Sequence, residues 1–308
     1  LNTLGRQQQD WSKAYRLYRE HVNGVAIFSP VLDGVLELLP QDSALVVGVD
    51  DSFLRKSGRH IAASGWYRDP LGPPFHTNLM WAQRFIQLSA AVPDPANPKR
   101  SRMIPIAIAL MPKLPKPAKD ATEEELTCYE QMKALNSAGA HALRLLRQLR
   151  EHLDAAGQKE REVCVCGDGD YSNSTLLPHL PPRTRYIGRV RSDIALRRVP
   201  RQRARRSAGR PRSYGKPLPA PDALRKDKSV AWEELTICNG PKETKVRYKR
   251  IERAKWHKAG EKAVVQVVVI APLRYRARKN GRWKYTRPAY LVCTDASMPV
   301  EDLIQLYF

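Results

Sequence analysis

The sequence predicts an α/β fold, a mixed sheet flanked by helices, and three features carry that expectation. The apolar, β-branched runs Leu45-Val46-Val47-Gly48-Val49 and Val163-Cys164-Val165-Cys166-Gly167 read as buried strands. Between them, residues 122–157 keep the spacing of an amphipathic helix. The resulting order of strands, helix, strand, helix and strand requires a mixed sheet with helices packed on it.

Taken in order, residues 10–39 place Trp11, Tyr15, Leu17 and Tyr18, then Val31, Leu32, Val35, Leu36, Leu38 and Leu39, at helical intervals. Ser29-Pro30 divides them into two short helices, and Pro40 closes the second. A strand over 44–49 follows, then an alternating stretch near 59–67 and the turn Asp69-Pro70-Leu71-Gly72-Pro73-Pro74, which together imply a hairpin beside the first strand. Residues 103–110 (MIPIAIAL) form another apolar run, which Pro105 confines to a sheet edge, a bulge or a strand start. Pro112 to Pro117 is a proline-rich linker. Thr122 with Glu125 makes a capping box, and Gly157 stands where a C-terminal cap belongs. Leu126, Leu135, Ala138, Ala142, Leu145, Leu146, Leu149 and Leu153 line one face between them, so one long helix is expected.

The strand over 162–167 ends at Asp168, a short helix is expected near 172–177, and Arg185-Tyr186-Ile187-Gly188-Arg189-Val190 is the next strand. From 197 to about 230 the composition turns to Arg, Lys, Pro, Gly and Ser, a solvated basic loop. Residues 235–238, 263–270 and 283–294 then read as strands, joined by basic turns such as Arg278-Lys279-Asn280-Gly281. Pro299 opens a last helix, with Glu301 and Asp302 where the helix dipole favours acids.

Composition narrows the function. Lys and Arg total 53 against 31 acidic residues, a net charge of +22, which makes a polyanion the natural partner. Five cysteines without a CxxC pair fit a reducing compartment, and Cys164-x-Cys166 reads as two small buried hydrophobes. The seven histidines show no zinc-ligand spacing. With no apolar run near the ~18 residues of a membrane span and no signal-peptide core, the expected location is the cytoplasm. The chain begins at Leu1 and stops at Leu306-Tyr307-Phe308 inside an apolar helical pattern, so both ends are expected to be cut.

The chemistry centres on two strand ends. Asp50-Asp51 closes the first buried run and Asp168 the second, with Asp170 two residues on. Rigid carboxylates suit hard divalent cations, although strand-to-turn aspartates also serve local hydrogen bonding. Two such carboxylates on adjacent strands can hold two cations about 4 Å apart for phosphodiester chemistry, and that arrangement calls for a third.

Four segments together resemble the DDE-type insertion-sequence transposases of the cut-and-paste group, whose catalytic domain is RNase H-like. They are strand-Asp-Asp-Ser at 45–52, RHIAASGWYRDP from Arg59 to Pro70, Val165-Cys166-Gly167-Asp168-Gly169-Asp170-Tyr171-Ser172-Asn173, and the strand carrying Arg189-Val190-Arg191. The resemblance implies an RNase H-like core over 41–196, a helical remnant over 1–40, a basic β-rich insertion over 197–287 and a return to the core over 288–308. It maps the first catalytic Asp onto Asp51, with Asp50 as second choice, and the second onto Asp168. The third carboxylate is a Glu that follows a Tyr matched by Tyr307, so the resemblance implies that this Glu is missing and the site incomplete. It further implies a two-metal Mg²⁺ site, with Mn²⁺ as a substitute, DNA as the partner at transposon ends and target, and a homodimer. Tyr290 matches an aromatic that stacks on a flipped base in relatives.

Basic residues interleave with aromatics at Arg247-Tyr248-Lys249-Arg250, Lys255-Trp256-His257-Lys258 and Arg282-Trp283-Lys284-Tyr285. Lys249, Arg250, Lys255, Trp256, Lys258 and Trp283, together with Arg189 and Arg191, are therefore expected at a DNA surface. Two other readings compete: a non-catalytic basic DNA- or RNA-binding protein, and another RNase H-like nuclease whose site is completed by Asp50 or Asp170.

Overall fold

Leu45, Val47 and Val49 are buried as the apolar run predicts, but the strand they open does not stop at Val49. In the computed structural model, which describes residues 24–308 apart from 59, 74, 95, 201–211, 240–241, 277 and 279–280, it continues through both aspartates as β1 (Leu45–Arg55). A neighbour holds it extended: β3 (Leu79–Asp94) pairs antiparallel with β1 as far as Arg55, opposite Ala82. The hairpin expected around the turn at 69–74 pairs residues 65–68 with the start of β3, whose length was not foreseen: Ile86, Leu88, Ala90 and Val92 alternate into the core as a half-buried strand requires. On the outer side of β3 lie β2 (Gly65–Arg68) and β4 (Asn97–Met111). Pro105 falls at the register shift on β4, an edge strand with β3 as its partner, as its missing N–H demands.

On the other side of β1 the pairing turns parallel, to β5 (Val163–Gly167) and then β6 (Thr184–Arg189). The residues expected to form an insertion extend the same sheet. β7 (Glu233–Asn239), β8 (Lys242–Ala254) and β9 (Val265–Ile270) join β6 through β12 (Ala289–Cys293), giving the order β2-β3-β1-β5-β6-β12-β9-β8-β7 with β4 beside β3. The short hairpin of β10 (Arg274–Tyr275) and β11 (Lys284–Tyr285) stands apart.

Helices cover both faces. On the first, α1 (Gly24–Glu37) and α3 (Ala138–Ala155) bury Leu32, Val35, Leu145, Leu146 and Leu153 over β1, β3 and β5. Pro30 sits inside α1, so the expected break at Ser29-Pro30 is absent; the earlier half of that expectation lies outside the described residues. On the second face, α5 (Val300–Tyr307) buries Val300, Leu303 and Ile304 against β6 and β12.

The single long helix expected over 122–157 is two helices. α2 (Glu123–Leu135) has the predicted capping box but buries no residue. The chain breaks at Asn136-Ser137, because the Asn136 amide donates to the Pro112 carbonyl and the Ser137 hydroxyl accepts the Ala140 N–H (3.3 Å) as a new N-cap. Gly157, with φ of 73°, ends α3 as expected: its N–H reaches the Asp154 carbonyl while the Gln158 N–H reaches that of Leu153 at 2.8 Å.

Two lysines expected at a DNA surface are interior. Lys249 is 2% exposed, and its ammonium donates to the carbonyls of Leu224 (3.1 Å), Arg225 (3.4 Å) and Asp227 (2.5 Å). It thereby caps the C-terminal end of α4 (Pro221–Lys226). Lys255, also buried, donates to the carbonyls of Glu261 and Lys262, and Trp256 lies in the core beneath them. No phosphate reaches any of the three. Lys249→Met should lower stability by about 1–3 kcal/mol, the cost of buried carbonyls losing their donor. A shift of the urea midpoint measures this, and an unshifted midpoint would contradict the capping role.

Candidate active site

Asp50 and Asp51 are consecutive residues of one strand, so the pleat sends their side chains to opposite faces. Asp51 shares the face of Leu45, Val47 and Val49, under α1 and α3. There its carboxylate accepts the Nε–H of Arg84, from the neighbouring β3, with the two side chains only 19% and 23% exposed. The Arg84 guanidinium also lies 5.5 Å from the centre of the Phe53 ring. Asp51 is thus held in a mostly buried, cation-bound position.

Asp50 faces the other way, with Val46 and Gly48, on the side that carries α5. It is exposed and sits across from Gln87 of β3. Its carboxylate accepts the Asp51 N–H at 2.8 Å, and among the described residues it forms no ion pair.

Asp168 follows β5. The parallel register ends by pairing Val49 with Gly167, so Asp50 and Asp168 are the residues that follow the last pair, and the charge of Asp50 is felt at Asp168. Burial pushes the Asp168 pKa up; the Asp170 N–H counters this, and the negative charges of Asp170, Asp50 and Asp51 add to the rise. Tyr186 fixes the backbone here, its hydroxyl donating to the Asp168 carbonyl at 3.0 Å. The ring can lie flat across β5 and β6 only because Gly167 and Gly188 face each other: a Cβ at either would stand 2.8 or 2.3 Å from the Tyr186 hydroxyl. Each side chain therefore has a structural reason for its place.

The last turn of α5 approaches the same strand ends. The Cys166 thiol donates to the Leu306 carbonyl at 3.5 Å, and the Tyr307 hydroxyl accepts from Arg189 on β6. Glu301 and Asp302 occupy the opposite end of that helix, about 9 Å further along its axis. Among the described residues no three His, Cys, Asp or Glu side chains form a metal-binding group. What the site does hold is an excess of negative charge at Asp50, Asp168 and Asp170, with the ionised form of Asp168 disfavoured. An all-oxygen donor set in that condition fits a hard divalent cation, with water or substrate oxygens completing its shell.

The remaining expected DNA contacts fare unevenly. Tyr290 is half-buried and its hydroxyl donates to Asp222 at 2.7 Å, which ties the side chain to α4. Arg191 pairs with Asp193, and Arg250 with Glu252 and Glu233. Lys258 stays near the surface, its ammonium 5.9 Å from the Trp256 ring. Trp283 is exposed and stacks with two guanidiniums, those of Arg274 and Arg276, each 4.0 Å from its centre. Sequence reading missed Arg84, which sits in the part of β3 that was not foreseen, and Tyr186, whose signal was the glycine on each of two neighbouring strands.

A family model described as DDE superfamily endonuclease matches residues 20–263, which span α1 through β8. Endonucleases of that description cut DNA and generally rely on divalent metal ions, in keeping with the carboxylates within β1 and just after β5. The mixed sheet flanked by helices agrees with their RNase H-like domain. No curated protein matches the chain. With most of its length matched to that model, the chain belongs to the DDE superfamily of endonucleases.

Proposed function

We propose that this protein is a DNA transposase, cleaving the phosphodiester at element ends and joining the freed 3′-hydroxyl to target DNA. One observation supports the carboxylate assignment: Asp50 and Asp168 each follow the last residue pair of the parallel β1–β5 ladder, the charge of Asp50 adds to the burial that raises the pKa of Asp168, and Asp50 is exposed and forms no ion pair among the described residues. Asp50 is accordingly preferred to Asp51, the first choice from sequence. Asp50 and Asp168 would hold Mg²⁺ or Mn²⁺, which supplies Lewis acidity at the attacking and leaving oxygens. Asp51 is a positioning residue, holding Arg84 and so the β1–β3 pairing beneath the site. The last turn of α5 brings Tyr307 against Arg189 of β6, and the exposed Arg189 guanidinium would meet a phosphate entering from that side.

A second reading, a DNA-binding protein that does not cleave, is favoured because among the described residues no three His, Cys, Asp or Glu side chains, Asp170 included, form a metal-binding group. Cleavage of end-containing DNA in Mg²⁺, abolished by Asp168→Ala, would exclude it.

Titration with Mn²⁺ separates the two aspartates of β1. Asp50→Asn and Asp168→Asn should each weaken binding about tenfold or more, whereas Asp51→Asn should change it less than about threefold while lowering the thermal midpoint, because Arg84 loses its partner in a mostly buried place. Equal loss of Mn²⁺ binding in Asp51→Asn would sink the assignment.

The raised pKa of Asp168 has a definite sign. A carboxyl that ionises less readily folded than unfolded favours folding at low pH, and that contribution is lost as pH rises through the folded pKa. Asp168→Asn should therefore raise the midpoint at pH 7 and leave it nearly unchanged at pH 3. Mg²⁺ should stabilise the parent protein and not the variant, and an equal Mg²⁺ response in both would count against a cation site at Asp168.

A further inference from the structure

The face that carries Asp50 also carries an aromatic pair. Counting back along β3 from Gln87, opposite Asp50, the residues on that face are Phe85, Gln83 and Trp81. Trp81 meets Trp66 of β2 directly across the antiparallel pair, with ring centres 5.6 Å apart at 65°. Trp81 is anchored, its indole N–H donating to the Gly58 carbonyl at 2.9 Å. Trp66 is 54% exposed.

Beside the pair opens a pocket of about 480 Å³, within the range of small-molecule sites. Its lining carries two cations and one acid: Arg55 is the last residue of β1 and Lys56 follows it, and the Arg55 side chain is 71% exposed while one guanidinium nitrogen pairs with Asp69 of the same lining. Thr77 and Asn78, both exposed, also line it and carry a hydroxyl and an amide. A cross-strand Trp pair also stabilises a hairpin, but that role does not require a ring left half in water beside two cations and a polar cavity. An aromatic platform with two cations and hydrogen-bonding groups in one lining suits a nucleotide.

We infer that this pocket is a subsite for one unpaired nucleotide of the DNA substrate: the base stacks on Trp66, its edge meets Asn78 and Thr77, and Arg55 and Lys56 hold its phosphate. The inference rests on DNA being the substrate, as proposed above. It places the stacking aromatic on β2 instead of at Tyr290, whose hydroxyl is held by Asp222. Six residues of β3 separate Trp81 from Gln87, so the subsite lies about 20 Å from Asp50, close to six steps of a B-form strand.

The test uses the full chain and two probes, an intact duplex of about 25 base pairs and the same duplex carrying one unpaired 2-aminopurine. The expected result is roughly tenfold tighter binding of the second probe, with its fluorescence quenched by stacking. Trp66→Ala should abolish both the preference and the quenching while keeping intact-duplex affinity, and Trp66→Phe should retain most of each. Preference and quenching that survive in Trp66→Ala, or that are absent from a parent protein that does bind the intact duplex, would overturn the subsite. Failure of the parent protein to bind the intact duplex would instead overturn the DNA reading, and the subsite with it.

Discussion

The parallel pairing of β1 with β5 is the constraint on which the site depends. Leu45, Val47, Val163 and Val165 are all at most 2% exposed, and their burial beneath α1 and α3 sets the register. A slip of one residue would turn every one of them to the opposite face. Burial of each such side chain stabilises by about 1.5–3 kcal/mol. Burial raises the pKa of the Asp168 carboxyl, and the repulsion that Asp50 and Asp170 exert on it shows only as an addition to that rise. The apolar register holds these acids in place against their repulsion, so like charges persist where the β1–β5 ladder stops. A charge pair kept in place by packing behind it is preorganised to receive a cation.

The same economy governs the basic residues. A net charge of +22 suggests a surface covered in free cations, yet several serve the interior or local pairs. Lys249 and Lys255 satisfy backbone carbonyls that would otherwise be buried without donors, and Arg84 neutralises Asp51. Arg55, Lys56, Arg189 and the guanidiniums around Trp283 lie nearer the periphery. The cationic character of the sequence thus divides into residues that build the sheet and residues that face outward, and only the second group can meet a phosphate.

Much of the fold could be read from residue order. The buried runs at 45–49 and 163–167, the capping box at Thr122 and the left-handed Gly157 are local signals, and each reports on its own neighbourhood. Less legible were features fixed by distant partners. The extension of β1 past Val49 depends on β3, and the division of residues 122–157 depends on a hydrogen bond from Asn136 to Pro112. β8 hid as a basic cluster because Tyr248 and Val246 face inward while Arg247 faces out, a period of two masked by charge. Charge spacing alone could not tell Lys249 from Arg250, since adjacent strand residues look alike in composition and lie on opposite faces.

That parity also settles what two consecutive acids can do together. Asp50 and Asp51 are chemically identical, but within one extended strand they cannot both reach the same ligand. One must turn toward the helices, where an unpaired carboxylate would carry a heavy desolvation cost, and Arg84 on β3 is the residue that offsets it. The other is left on the face where α5 and Asp168 converge. The Asp51–Arg84 pair then clamps β1 to β3 directly beneath Asp50, limiting the freedom of the carboxylate above. In an acidic dipeptide at this point of a sheet one residue anchors the neighbouring strand and the other stays exposed, and the strand's pleat, more than the identity of either neighbour, decides which is which.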